Sequence, residues 1–115
     1  MNRSRIRVFR ALGDPGRIRI LKMLEVRELC LCELREVLRL SASTVSKHLS
    51  VLRDAGLVTD ARDGKWVNFR LNAGSEDRFL RSQLAAVAGG FAEDAQVLKD
   101  RRALGGVDRR KICGL

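Results

Sequence analysis

The residues best placed to do chemistry are Cys30 and Cys32, two of the three cysteines in a 115-residue chain, set in the run Glu28-Leu29-Cys30-Leu31-Cys32-Glu33-Leu34. Thiolate sulfur is a soft donor that binds soft metals and metalloids, and it is also the form that oxidises. Leu31, Leu34, Val37 and Leu38 recur at helical spacing, which predicts a short helix over residues 32–38 with both thiols in or just before its first turn. The positive end of that helix, with Arg27 and Arg35 close in sequence, is expected to favour the thiolate. Positions two apart lie about 200° apart on an ideal helix, so the pair would share one ion only if the first turn unwound. An odd number of cysteines points to free or metal-bound thiols in a reducing compartment rather than to structural disulfides.

So short a helix needs neighbours to hold it. Upstream, Ile6, Val8, Phe9 and Leu12 predict an N-terminal helix ending at Gly13. Asp14 suits the cap of the next helix and Pro15 its first position, while Ile18, Leu21, Met23 and Leu24 supply its buried face. Downstream of the thiols, Ser41 caps a helix over residues 42–55 that Gly56 stops, with Val45, Leu49 and Leu52 on one side. Two short helices joined by a tight turn predict a helix-turn-helix. The outer side carries Ser43, Thr44, Ser46, Lys47, Ser50 and Arg53: hydroxyls able to reach base edges or phosphates, then cations able to pair with phosphate. The plain alternative is a solvated helix face. His48, the single histidine, has no other His or Cys near it in sequence, so a phosphate or packing contact is expected of it rather than a metal.

A net charge of +9 favours a polyanionic partner. Residues 57–61 and 65–71 alternate as strands around Arg62-Asp63-Gly64, and a basic-tipped hairpin directly after a helix-turn-helix makes a wing, with Arg62 and Lys65 placed to touch DNA backbone or minor groove. Met1-Asn2-Arg3-Ser4-Arg5 leads into an Arg-rich amphipathic segment rather than the apolar run of an export signal. No run approaches membrane length, so a cytoplasmic location without a membrane partner is expected.

From Ser75 to about Leu104 one further helix is predicted, with Phe79, Leu80, Leu84, Val87, Phe91, Ala95 and Leu98 near one broad face. A domain this small offers that face no fixed cover, so pairing with a second copy of the chain, together with the N-terminal helix, is expected. The fold class is therefore mainly α with a β-hairpin: a dimeric winged helix-turn-helix with N- and C-terminal dimerisation helices. Residues 1–104 form the domain, and residues 105–115 form a mobile basic tail carrying Cys113.

Residues 9–71 resemble the ArsR/SmtB family of bacterial metal- and metalloid-responsive repressors. The resemblance rests on Ala11-Leu12-Gly13-Asp14-Pro15-Gly16-Arg17, the cysteine run, Ser46-Lys47-His48-Leu49, Leu52-Arg53-Asp54-Ala55-Gly56-Leu57-Val58 and Gly64-Lys65-Trp66-Val67. The cysteine motif looks like the arsenic-responsive branch. It implies a repressor that holds double-stranded operator DNA as a homodimer and releases it when three thiolates bind As(III) or Sb(III) as inducer, with no organic cofactor. That branch often carries a third cysteine where this chain has Arg35, which leaves Cys113 as the candidate third sulfur, from the same subunit or its partner. The zinc sites that some relatives build on the last helix are disfavoured, since Asp77, Glu93 and Asp94 without histidine make a poor set.

Three other readings use the same residues. A second reading keeps the repressor and makes the signal Cd(II), Pb(II), Cu(I) or thiol oxidation. A thiol oxidoreductase is disfavoured by the lack of a Cys-x-x-Cys and of a base beside the thiols. An architectural DNA binder would show no preference for palindromic DNA.

Overall fold

The helix starts anticipated from capping residues are capped by those residues. The structure, a computed structural model, describes residues 1–112; Cys113 lies outside the described residues. Helix α1 (Arg3–Leu12) is capped by Asn2, and α2 (Pro15–Leu24) by Asp14, whose carboxylate accepts from the Arg17 amide at 3.2 Å with Pro15 at the first position. A two-residue strand β1 (Leu29–Cys30) precedes α3 (Leu31–Leu38). Arg39 turns the corner into α4 (Ala42–Asp54) in the left-handed region, at φ 59°, and Ser41 caps α4 by accepting from the Thr44 amide.

The hairpin is β2 (Val58–Asp63) and β3 (Trp66–Leu71), joined by Gly64-Lys65; Gly64 has φ 61°, as a two-residue hairpin turn requires. Arg62 thus sits at the end of a strand, paired with Val67, and the turn itself holds Lys65. Strand β1 adds to the free side of β3, giving the antiparallel order β1-β3-β2 with Cys30 opposite Asn68. A strand of two residues leaves no alternation to read, which is why sequence patterning missed it. Helix α4 followed by this hairpin makes the winged helix-turn-helix. Its core gathers Ile20, Leu21, Met23, Leu29, Leu34, Val45, Leu52 and Leu57 around α2.

The long C-terminal helix is in fact two, α5 (Arg78–Gly90) and α6 (Ala95–Leu104). Gly89-Gly90 weakens the first helix at its end, and Asp94 restarts the chain by accepting from the amides of Gln96 and Val97. The break lets α6 fold back on α2. Arg19 grips the buried Asp100 with two hydrogen bonds of 2.8 and 2.9 Å, and Glu25 receives both Lys22 (2.7 Å) and Arg101 (2.9 Å). Lys22, only 1% exposed, also donates to the Ala88 carbonyl, and residues 20–24 of α2 are all buried. Of the apolar face expected to await a second subunit, Val87 is buried within the chain and Phe79, Leu80, Leu84 and Phe91 are partly buried against its core, while Val97 and Leu104, outside that face, are buried as well. Phe9 stays 53% and Leu98 40% exposed, and Phe9 meets Phe79 edge-on at 5.6 Å between centroids.

Residues 105–112, the described part of the expected tail, are placed against the domain as a turn and α7 (Arg109–Ile112). The sequence hid this because the anchor is one arginine: Arg109 stacks 3.9 Å over the Trp66 ring.

Gly56, with φ 84°, ends α4, and a Cβ there would meet the Leu80 side chain at 3.1 Å; at Gly64 a Cβ would meet nothing. Gly56→Ala is therefore expected to cost about 2 kcal/mol and Gly64→Ala about half of that, in denaturant melts. Equal losses would mean that Leu80 yields freely.

Candidate functional site

The two thiols reach the site from different elements. Cys30 is the residue before α3, with extended backbone (φ −91°, ψ 170°), and Cys32 is the second residue of the helix. The expected 200° separation assumed both on one helix. The structure puts Cys30 at the cap position, in extended backbone, with Cys32 inside the first turn. Cys30 is buried and Cys32 partly exposed, and neither is in a disulfide. Both line one cleft of about 440 Å³, whose other walls are Ser46, Leu49 and Ser50 of α4 and Trp66, Val67 and Phe69 of β3. The same helix and hairpin that carry the proposed DNA contacts thus line the cleft together with the two cysteines.

The charges beside the thiols differ from the expectation. Arg27 is committed to Glu33 at 2.7 Å, and Arg35 donates to the Leu40 carbonyl at 3.4 Å. Glu33 closes a capping box on the helix start, accepting from the Cys30 amide at 3.0 Å and from the Cys30 thiol. Burial pushes the Glu33 carboxyl up, but the Arg27 guanidinium and the Cys30 donors outweigh it and hold the group below its ordinary 4.5. A depressed folded value stabilises the fold above the unfolded value, and that contribution fades as pH falls through the folded one. Wild type is accordingly expected to lose stability on acidification below about pH 4.5, with Glu33→Gln showing a flatter profile there in thermal melts. Parallel profiles would contradict the Glu33 contribution.

Of the groups predicted to face DNA, Ser43, Thr44, Ser46, Lys47, Arg62 and Lys65 are exposed, while Ser50 is half-buried in the cleft wall. Ser41 gathers the first two, with its Oγ 3.1 Å from that of Ser43 and donating to Thr44 Oγ1 at 2.9 Å. Thr44 therefore keeps its own hydroxyl hydrogen for an outside acceptor. Lys47, Arg62 and Lys65 have no ion pair among the described residues. Arg53, by contrast, is bound to Asp60 of β2 at 2.8 Å and ties α4 to the hairpin.

His48 makes the packing contact. Its ring is largely buried, its Nδ1 lies 3.3 Å from an Arg17 terminal nitrogen, and its Nε2 is 4.0 Å from Asp14. Arg17 also donates to the Ala11 carbonyl at 2.8 Å and the Arg10 carbonyl at 3.1 Å, closing the end of α1. A Cβ on Gly16 would stand 3.0 Å from the ring, so glycine there leaves room for the histidine. Sequence reasoning missed this hub, although it left a signal. An arginine in the first turn of a helix sits at the dipole's positive end, and its charge is better placed at the end of the preceding helix.

Among the described residues no three of His, Cys, Asp and Glu come together in a way that could hold a metal ion. The cleft supplies two sulfur donors, and a third thiol would have to be Cys113, outside the described residues. No helix among the described residues is long and apolar enough to cross a membrane.

The family model for the bacterial regulatory proteins of the arsR family matches residues 14–60, from the α2 cap into β2. The arsenical resistance operon repressor of Escherichia coli (strain K12) is 43% identical over 68 residues, covering 58% of each chain. The chain spans little more than half the length of several of the curated relatives it matches. HlyU from Vibrio cholerae N16961 superposes with a TM-score of 0.65 at 27% identity, over 78% of this chain and 94% of that one. The cadmium metal-sensor CMTR from Mycobacterium tuberculosis, solved by NMR, gives 0.56 at 36% identity, over 77% and 84%. By its winged helix-turn-helix and these matches together, the chain belongs to the arsR family of bacterial regulatory proteins.

Proposed function

We propose that this chain is a transcriptional repressor that binds double-stranded operator DNA as a homodimer and releases it when As(III) or Sb(III) is taken up by the thiolates of Cys30 and Cys32, with Cys113 as the third sulfur. The observation that carries the reading is the shared cleft, which Cys30 and Cys32 line together with residues of α4 and β3. A ligand across the thiols changes the packing of the two elements that meet DNA. To turn occupancy from mostly bound to mostly free, the inducer must favour the released form by about 5 kcal/mol, which thiolate bonds supply. Support for Cys113 is that it follows in sequence directly after Ile112, the last residue of α7, and that α7 packs against α3. The name of the Escherichia coli relative supports arsenic.

A second reading keeps the repressor and makes the signal Cd(II), which suits the same sulfurs and is supported by the likeness to a cadmium sensor. Parallel titrations with arsenite and Cd(II) distinguish the two.

Dimerisation is proposed through the exposed parts of α1 and the C-terminal helices, where Phe9 and Leu98 remain uncovered. Sedimentation is expected to give a dimer at micromolar concentration, and footprinting is expected to protect palindromic but not random DNA. A monomer, or equal protection of both DNAs, would overturn the reading.

A further inference from the structure

We infer that Arg109 is a positioning residue for the wing, a latch that holds the hairpin tip against the body of the domain and keeps its carboxylate neutralised where DNA would lie. The inference rests on the DNA-binding reading above. Three contacts converge on one guanidinium: it stacks on Trp66 at 3.9 Å, donates to Asn68 Oδ1 at 2.9 Å and pairs with Asp63 at 3.1 Å. Trp66 and Asp63 face each other across the base of the turn, so the latch closes on both strands of the tip at once. The Trp66 indole nitrogen is buried without a hydrogen-bond partner among the described residues, so stacking and packing position the ring there. Behind Arg109 the segment is moored at Val107, whose carbonyl accepts from Arg27 at 3.5 Å.

The charges at the tip give the latch its role. Arg62 and Lys65 face outward, but Asp63 between them in sequence is 62% exposed and would repel a phosphate backbone. Arg109 cancels that charge and fixes the hairpin through Trp66, Asn68 and Asp63 together, as only a planar, multiply donating cation can. Its neighbour Arg110 is exposed, with no ion pair among the described residues, and provides the control.

Trp66 is the only tryptophan and the chain has no tyrosine, so its emission reports the latch directly. In Arg109→Ala the emission is expected to shift to the red and acrylamide quenching to rise, with or without DNA. Operator affinity is expected to fall about tenfold, against about twofold for Arg110→Ala, and Asp63→Asn in the Arg109→Ala background is expected to recover part of the loss. Arg109→Lys should keep the salt slope of binding yet show the altered emission, since lysine lacks the stacking fork. Unchanged emission in Arg109→Ala would overturn the latch. So would equal losses in the two alanine variants with no recovery from Asp63→Asn, which would make Arg109 one more charge in a basic segment. Should the wild type show no preference for palindromic DNA, the DNA-binding reading falls, and the emission of Arg109→Ala still decides whether the latch exists.

Discussion

Cys30→Ser and Cys32→Ser proteins are expected to bind operator as the wild type does and to stay bound when arsenite is added. Serine keeps the size of cysteine, and at position 30 it still caps α3 and meets Glu33, so the fold and the DNA-facing surface survive. What is lost is the soft donor. With one sulfur gone, the metalloid's preference for the released state falls by several kcal/mol, so the arsenite needed for release should rise at least a hundredfold. Cys113→Ser should raise it less, because two thiols remain in the cleft. Anisotropy of labelled operator under an arsenite series measures all three. Release of both Cys30→Ser and Cys32→Ser at the wild-type arsenite concentration would remove the thiols from the sensor.

How much of this was legible beforehand varies by element. Caps at Asp14 and Ser41, the stop at Gly56 and the Asp-Gly hairpin are local signals set by backbone chemistry, and they placed α2, α4 and the wing. The cysteines were found by residue type alone. Their mutual geometry was not, because it depends on β1 pairing with β3, a contact about 40 residues away in sequence. The Arg17–His48 hub, the buried Lys22 and the Arg109 stack are likewise long-range pairings of charged side chains. Sequence periodicity sorts such residues to the surface, and only the fold reveals which of them are held.

Lys47→Ala should weaken binding to every DNA sequence and flatten its salt dependence, whereas Thr44→Ala should change which sequence is preferred. Lys47 is exposed midway along α4 and has no ion pair among the described residues, so its charge is available to phosphate. Each phosphate contact contributes about one unit of salt slope, and a symmetric dimer loses it twice, so the slope should drop by about two and affinity by more than tenfold. Thr44 is held in place by Ser41 with its hydroxyl hydrogen unspent, the arrangement expected of a group that reads a base acceptor. Its loss should cost about 1–3 kcal/mol on the preferred sequence and little elsewhere. If both variants bind all DNA as wild type does, α4 is not the reading helix.

The most direct test of the thiol-gated release is an arsenite titration of the reduced protein on labelled operator, with sulfur-to-arsenic absorption and DNA release followed in one sample. The cleft shared by Cys30, Cys32, α4 and β3 predicts that the two signals rise together and saturate at the same arsenite concentration. Full thiolate absorption with the operator still bound, or release with no thiolate absorption, would contradict it.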